Sequence, residues 1–263
     1  MAHRDWFCPH GCYQSHSSIE RTMTSISLRG KTALVTGGAS KIGAAIVTAL
    51  AEAGARIAMT YRTHKDAASA LADSINGLLL KADTTKASDC MKAVKMTIEK
   101  LGAIDILVNN AGIWKGAAFD EIAEQDMDAL IETNLKGTLH MCRAVIPHMK
   151  KRKQGNIINL ATSVRNIMAK GNVSYGTSKS GVIGFTKALA KELGPFGIRV
   201  NAVSPGWIPS QVEYNKMMSK REKGTPEIAI PFGKPEYVAG AVLFFASDLS
   251  RYVTGEILNV HGS

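Results

Sequence analysis

Thr32-Ala33-Leu34-Val35-Thr36-Gly37-Gly38-Ala39-Ser40-Lys41-Ile42-Gly43 runs a short apolar stretch into a glycine-rich turn, and an apolar face follows at Ile42, Ala45, Ile46, Ala49 and Leu50. The stretch predicts a strand and the later spacing a helix. Glycines at such a junction let backbone amides approach a pyrophosphate, whose charge the helix N-terminus favours. Gly37, Ser40, Lys41, Ile42 and Gly43 are therefore candidates for holding a dinucleotide. Glycines also serve tight turns without a ligand, so the turn alone leaves both readings open.

Outward from that turn, short apolar runs alternate with longer helical periods. Strands are expected at 32–35, 56–60, 78–82, 104–108, 156–160, 199–203 and 257–260, and helices at 42–53, 65–75, 86–101, 123–149, 172–193 and 235–246. The run at 104–108 is apolar on both faces, which a sheet allows only where helices cover both sides. The expected fold is α/β: one domain, a doubly wound parallel sheet of Rossmann type, with helices on both faces. A chain of 263 residues suits one such unit. Residues 1–22 are expected to form a mobile N-terminal extension, and residues 23–263 the dinucleotide-binding and catalytic domain.

Composition narrows the function classes. Hydrophobic residues make up 45% and charged residues 21%, and no long uncharged apolar run predicts a membrane span. The net charge of +10 is spread along the chain. Its two dense clusters, Lys150, Lys151, Arg152 and Lys153, then Lys216, Lys220, Arg221 and Lys223, lack interleaved aromatics and suit solvated helix ends better than a nucleic-acid surface. Cys8, Cys12, Cys90 and Cys142 are too scattered for a disulfide framework, which points to a reducing, cytoplasmic setting. Cys8 and Cys12 lie near His3, His10 and His16, but no apolar period would hold a metal site rigid there, and no metal is expected.

Two further stretches carry chemistry. Tyr175 and Lys179 stand four apart in a helical pattern and so share one face. A phenol with an ordinary pKa of about 10 exchanges protons slowly at neutral pH, and a neighbouring ammonium lowers that value, making the pair a candidate general acid/base. At the end of the second strand stand Thr60, Tyr61, Arg62 and Thr63. A carboxylate there would suit the ribose of NAD, whereas Arg62 suits the 2′-phosphate of NADP, so NADP(H) is the preferred cofactor, with NAD(H) as the alternative.

With these stretches in order, the chain resembles the short-chain dehydrogenase/reductase family from about residue 28 to its end. The Gly37 turn is followed by Asp83, by Asn109-Asn110-Ala111-Gly112, by Asn134, by Tyr175 and Lys179, and by Asn201-Ala202-Val203-Ser204-Pro205-Gly206. The resemblance implies that Asp83 bonds the adenine edge and that Asn110, Ala111 and Gly112 flank the cofactor. It implies that Tyr175 protonates a carbonyl oxygen as hydride arrives, while Lys179 binds ribose hydroxyls and depresses the tyrosine. Asn134 would anchor a water that relays protons, Pro205, Gly206 and Ile208 would close over the nicotinamide, and Ser210 would stand near the phosphates or carboxamide. The hydroxyl that orients the carbonyl falls by spacing on Thr162, with Ser163 as the neighbouring candidate. Two departures stand out: Lys41 replaces a glycine of the family turn, and His261 replaces an aspartate, the latter read as structural.

The leading expectation is an NADPH-dependent carbonyl reductase most similar to the 3-oxoacyl-acyl-carrier-protein reductases. Its substrate would be a small carbonyl or alcohol compound carried, in one version, on an acidic carrier protein. Residues 207–231 match the family's substrate lid in position and length. A sugar or polyol dehydrogenase is the alternative, because fold and cofactor leave the pocket open. A non-catalytic dinucleotide-binding regulator is the third reading, motivated by Lys41. A homo-oligomer, tetramer or dimer, is expected through the two long helices.

Overall fold

The computed structural model describes residues 26–163, 167–209, 212–213, 215 and 233–262. The N-terminal extension, Ser210, the Lys216–Lys223 cluster and most of the expected lid lie outside the described residues.

The strands form one sheet because their residues are apolar on both sides. In β1 (Thr32–Val35), Ala33 and Val35 join one buried cluster while Leu34 between them joins another, as the alternation of side chains along a strand requires. The first cluster receives Ile46 and Leu50 from α1 (Lys41–Glu52). The second receives Cys90 and Val94 from α3 (Ala87–Leu101), beyond β2 (Arg56–Tyr61), α2 (Lys65–Ser74) and β3 (Leu78–Lys81). Beyond β4 (Ile106–Asn109) and α4 (Glu124–Leu130), α5 (Gly137–Arg152) adds Met141 and Val145 to that side. Then come β5 (Gly155–Leu160), α6 (Val173–Leu193), β6 (Ile198–Pro205), α7 (Pro235–Ala246) and β7 (Ile257–Val260). Val242 and Phe245 of α7 close the first cluster and Leu193 of α6 the second. Burying each large side chain contributes about 1.5–3 kcal/mol.

All seven strands are parallel, in the order β3-β2-β1-β4-β5-β6-β7. The doubly wound α/β expectation holds. The winding reverses between β1 and β4, and that reversal opens a crevice at the carboxyl ends of the strands.

One expected element is different. The helix expected at 123–149 is broken by a π-helical turn, Ile131–Lys136, between α4 and α5. The cause is tertiary: fully buried Asn134 accepts from Ile113 N at 2.8 Å and donates to Ile113 O at 3.0 Å, pairing with that residue as a neighbouring strand would. The wider turn lets the side chain reach inward. Lys150, Lys151 and Arg152 fall in the last turn of α5, and Arg152 pairs with Asp105 at 2.8 Å. They therefore sit where β5 begins, at the opposite edge of the sheet from the crevice. No helix of the described residues is long and apolar enough to cross a membrane, and none of their His, Cys, Asp and Glu side chains cluster as a metal site.

Candidate active site

The glycine turn is locked from three sides. Thr36, just past β1, accepts at its hydroxyl from the amides of Asn110 at 3.0 Å and Ala111 at 2.9 Å. Asn110 Nδ2 reaches back to Thr36 O and Gly37 O, both at 2.9 Å, and to Ser40 Oγ at 3.1 Å. Gly37 takes φ of +61°, and its amide donates to Thr60 Oγ1 at 3.2 Å. A Cβ at Gly43 would strike Gly37 O and lie 2.7 Å from Asn110 Nδ2, so only glycine lets α1 start this close to the turn. Ser40 caps that helix by accepting from Gly43 N at 3.2 Å.

Between this turn and the ends of β2 and β3 lies a cavity of about 190 Å3 whose lining includes Ser40, Arg62, His64, Asp83, Gly112 and Ile113. Asp83 accepts from Thr85 at Oδ1. Arg62 is exposed at the mouth and makes no ion pair among the described residues. Lys41 is exposed and does not line the cavity, so its stem points outward and does not crowd the cavity. These residues fit a dinucleotide: amides and a helix N-terminus for its phosphates, a carboxylate and a cation for its adenosine half.

Gly112 leads from this cavity to the second half of the site. A Cβ there would lie 3.0 Å from Asn134 Oδ1 and 3.4 Å from Lys179 Nζ, so the chain passes tightly beside both. Lys179, only 5% exposed on α6, donates to Leu160 O at 2.7 Å, and burial brings its pKa down to about 8. Tyr175, one turn earlier, is raised by burial, with a hydrogen bond from Thr162 acting the other way. This corrects the expected depression by Lys179: the ammonium is directed at Leu160, and desolvation dominates the phenol.

Thr162 and Ser163 follow β5, and both are buried. The hydroxyl of Thr162 donates to Pro205 O at 3.4 Å and also meets Tyr175, while its carbonyl accepts from Ser204 Oγ at 2.6 Å. Ser163 is tied by its amide to Pro205 O at 2.9 Å. Gly206 bonds Val260 O at 2.9 Å, and half-buried Ile208 packs against the first core cluster. His261 is exposed beside Gly206, where a Cβ would lie 2.7 Å from the histidine Cβ.

Asn109 belongs to the expected motif at 109–112, but several of the groups around it escaped the sequence reading. Ser178 receives a bond from Asn134 Nδ2 at 3.0 Å, and Thr60 holds the Gly37 amide. Asn109 Nδ2 donates to Asn159 Oδ1 at 2.9 Å, and Asn159 Nδ2 to Thr186 Oγ1 at 2.9 Å, a buried ladder that joins β4, β5 and α6 beneath the site. Only the position of Ser178 beside Lys179 offered a signal. The others are ordinary polar residues until the strands are paired.

A family model described as Enoyl-(Acyl carrier protein) reductase matches residues 37–262. The 3-oxoacyl-[acyl-carrier-protein] reductase FabG of Thermotoga maritima is 39% identical over 241 residues, covering 89% of this chain and 98% of that relative. Its counterpart from Staphylococcus epidermidis is 37% identical over 238 residues, covering 88% and 98%. A crystal structure described as a short-chain alcohol dehydrogenase from Sinorhizobium meliloti 1021 superposes with a TM-score of 0.78 at 34% identity, covering 89% of this chain and 96% of that one. The matched span takes in the glycine turn, Thr162, Tyr175 and Lys179, and the chain belongs to the short-chain dehydrogenase/reductase family, as an NAD(P)-dependent oxidoreductase acting on C=O and CH–OH groups.

Proposed function

We propose that the protein is an NADPH-dependent reductase of 3-oxoacyl thioesters carried on an acyl carrier protein, working as a cytoplasmic homo-oligomer. The observation that carries the reading is that half-buried Tyr175 meets the Thr162 hydroxyl and stands one turn from buried Lys179. The names of the relatives at 39% and 37% identity support the substrate class. Free, buried Cys90 and Cys142, pushed up to about 11 and about 12 by burial, are inert thiols in keeping with a reducing compartment.

A nicotinamide held there would supply the hydride for the carbonyl carbon. Tyr175 gives its proton to the carbonyl oxygen, completing the alcohol, and its raised pKa keeps that proton in place at neutral pH. Thr162 holds the same oxygen in line. Lys179 would bind the ribose hydroxyls and, from its place against Leu160 O, turn its charge toward the phenolate as it develops, and Asn134 fixes the backbone of Ile113 along the relay path. Gly37, Ser40, Ile42, Gly43, Asn110, Ala111 and Gly112 would hold the pyrophosphate side, Asp83 the adenine and Arg62 the 2′-phosphate. Exposed Lys41, outside the cavity lining, would reach a phosphate only from the solvent side. Pro205, Gly206 and Ile208 would flank the nicotinamide.

A panel of 3-oxoacyl thioesters, ketoses and polyols, each assayed with both nicotinamide cofactors, tests this reading. The highest kcat/KM is expected for a 3-oxoacyl thioester with NADPH. Faster turnover of a ketose or polyol would replace the substrate class.

A further inference from the structure

Trp114 is 64% exposed, yet its ring is held in place. Its indole Nε1 donates to Asn172 Oδ1 at 3.0 Å, across from the loop after β4 to the N-cap of α6, three residues before Tyr175. On its other side, a Cβ at Gly116 would lie 2.6 Å from Trp114 Cζ2, so the benzo edge rests against a position that only glycine leaves open. The two loops are joined again where Ala117 N donates to Gly171 O at 3.0 Å. An indole N–H this close to water needs no protein acceptor to be satisfied. The bond therefore orients the ring, and it orients an apolar face toward solvent beside the helix that carries Tyr175.

The tied segment presents exposed apolar side chains to solvent, alongside exposed Lys170. Met168, 79% exposed, and Val173, 50% exposed, come from the segment that Ala117 and Asn172 tie to the Trp114 loop. The nearest charge in sequence, Lys115, pairs with Asp126 at 3.3 Å. A rim for a polyol would present donors and acceptors in place of these carbons.

We propose that Trp114 is a specificity-determining residue that receives the alkyl chain of the substrate beyond its reacting carbonyl, and so favours long acyl chains over short ones. A flat, pre-oriented indole suits this, since it offers a large contact area with little rotamer freedom to lose. The proposal rests on the reductase reading given above, and its test separates the two. Wild type, Trp114→Ala and Trp114→Phe are assayed with 3-oxobutanoyl and 3-oxooctanoyl thioesters, and in parallel with 2-butanone and 2-octanone. In Trp114→Ala the long-to-short ratio of kcat/KM falls about tenfold, through the KM of the long substrate, because the extra methylenes lose their apolar cover. Trp114→Phe, which keeps a ring but loses the N–H, retains the ratio to within about threefold. An unchanged ratio, or an equal loss on long and short substrates, would overturn the proposal and leave Trp114 a staple between loops. If ketones are turned over and thioesters are not, the substrate class fails, and the ketone ratio still decides the role of Trp114. Should Trp114→Ala not fold, Trp114→Gln is read by the same ratio.

Discussion

Thr162 presents its hydroxyl to Tyr175 from the end of β5, so Thr162→Val removes the donor and keeps the shape of the side chain. Losing one such transition-state donor lowers kcat/KM by roughly two orders of magnitude. Ser163→Ala should keep most of the activity, since the Ser163 backbone bond to Pro205 survives the change. The reverse ranking would give the orienting role to Ser163, and steady-state kinetics of the two variants decide it. Lys179 supports a second expectation at this scale. Its pKa is lowered to about 8, so the ammonium is charged below that pH and neutral above it. A reduction that relies on the charged form should therefore lose kcat/KM as pH rises through about 8, and a profile flat to high pH would remove the ammonium from the mechanism. Tyr175, whose pKa is raised, stays protonated across that window and does not mask the effect.

At the scale of elements, the proposed preference for NADPH rests on the loop between β2 and α2. Arg62 stands at the cavity mouth with Tyr61 and Thr63 beside it and no carboxylate among them. Arg62→Asp removes one charged phosphate contact, on the order of 1.5–3 kcal/mol or roughly tenfold to a hundredfold, and adds an acceptor for ribose hydroxyls. Preference should shift from NADPH toward NADH, and an efficiency with NADH already equal in the wild type would refute the assignment. The spans of β1 and β7 were legible to the residue because apolar runs bounded by turn residues leave little choice. The glycine turn, Tyr175 and Lys179 were legible because their spacing is local. The π turn at Ile131–Lys136 was not, since one extra residue per turn barely alters an apolar period and its cause, Ile113, lies on another element. The direction of the Tyr175 shift was hidden for a similar reason. Spacing gives the distance to Lys179, whereas desolvation depends on everything packed around the phenol.

On the whole molecule, the described surface carries an apolar groove of about 570 Å3 between α5 and α6, lined by Leu139, Ile146, Pro147, Phe185 and Leu189, with Lys136, His140 and Arg143 among its polar members. The fold divides the apolar residues of α6: Val182 and Leu189 are buried in the core, while Phe185 stays half-buried in the groove. An apolar groove on two long helices marks an association surface, and closed symmetric assembly is the common outcome. Light scattering at micromolar concentration should therefore report a homo-oligomer, and a monomer would refute it. Phe185→Glu places a charge in the groove without touching the buried residues on either side of it, so it should shift the protein toward monomer while leaving the far-UV circular dichroism of the sheet and helices in place. Phe185 shares α6 with Tyr175 and Lys179, and the Asn159–Thr186 bond anchors that helix to β5 next to Phe185. If this internal anchor alone fixes the catalytic helix, the monomeric variant keeps its kcat. A kcat that falls with dissociation, at unchanged secondary structure, would mean that the neighbouring subunit also braces α6, and assembly would then be part of how Tyr175 is held.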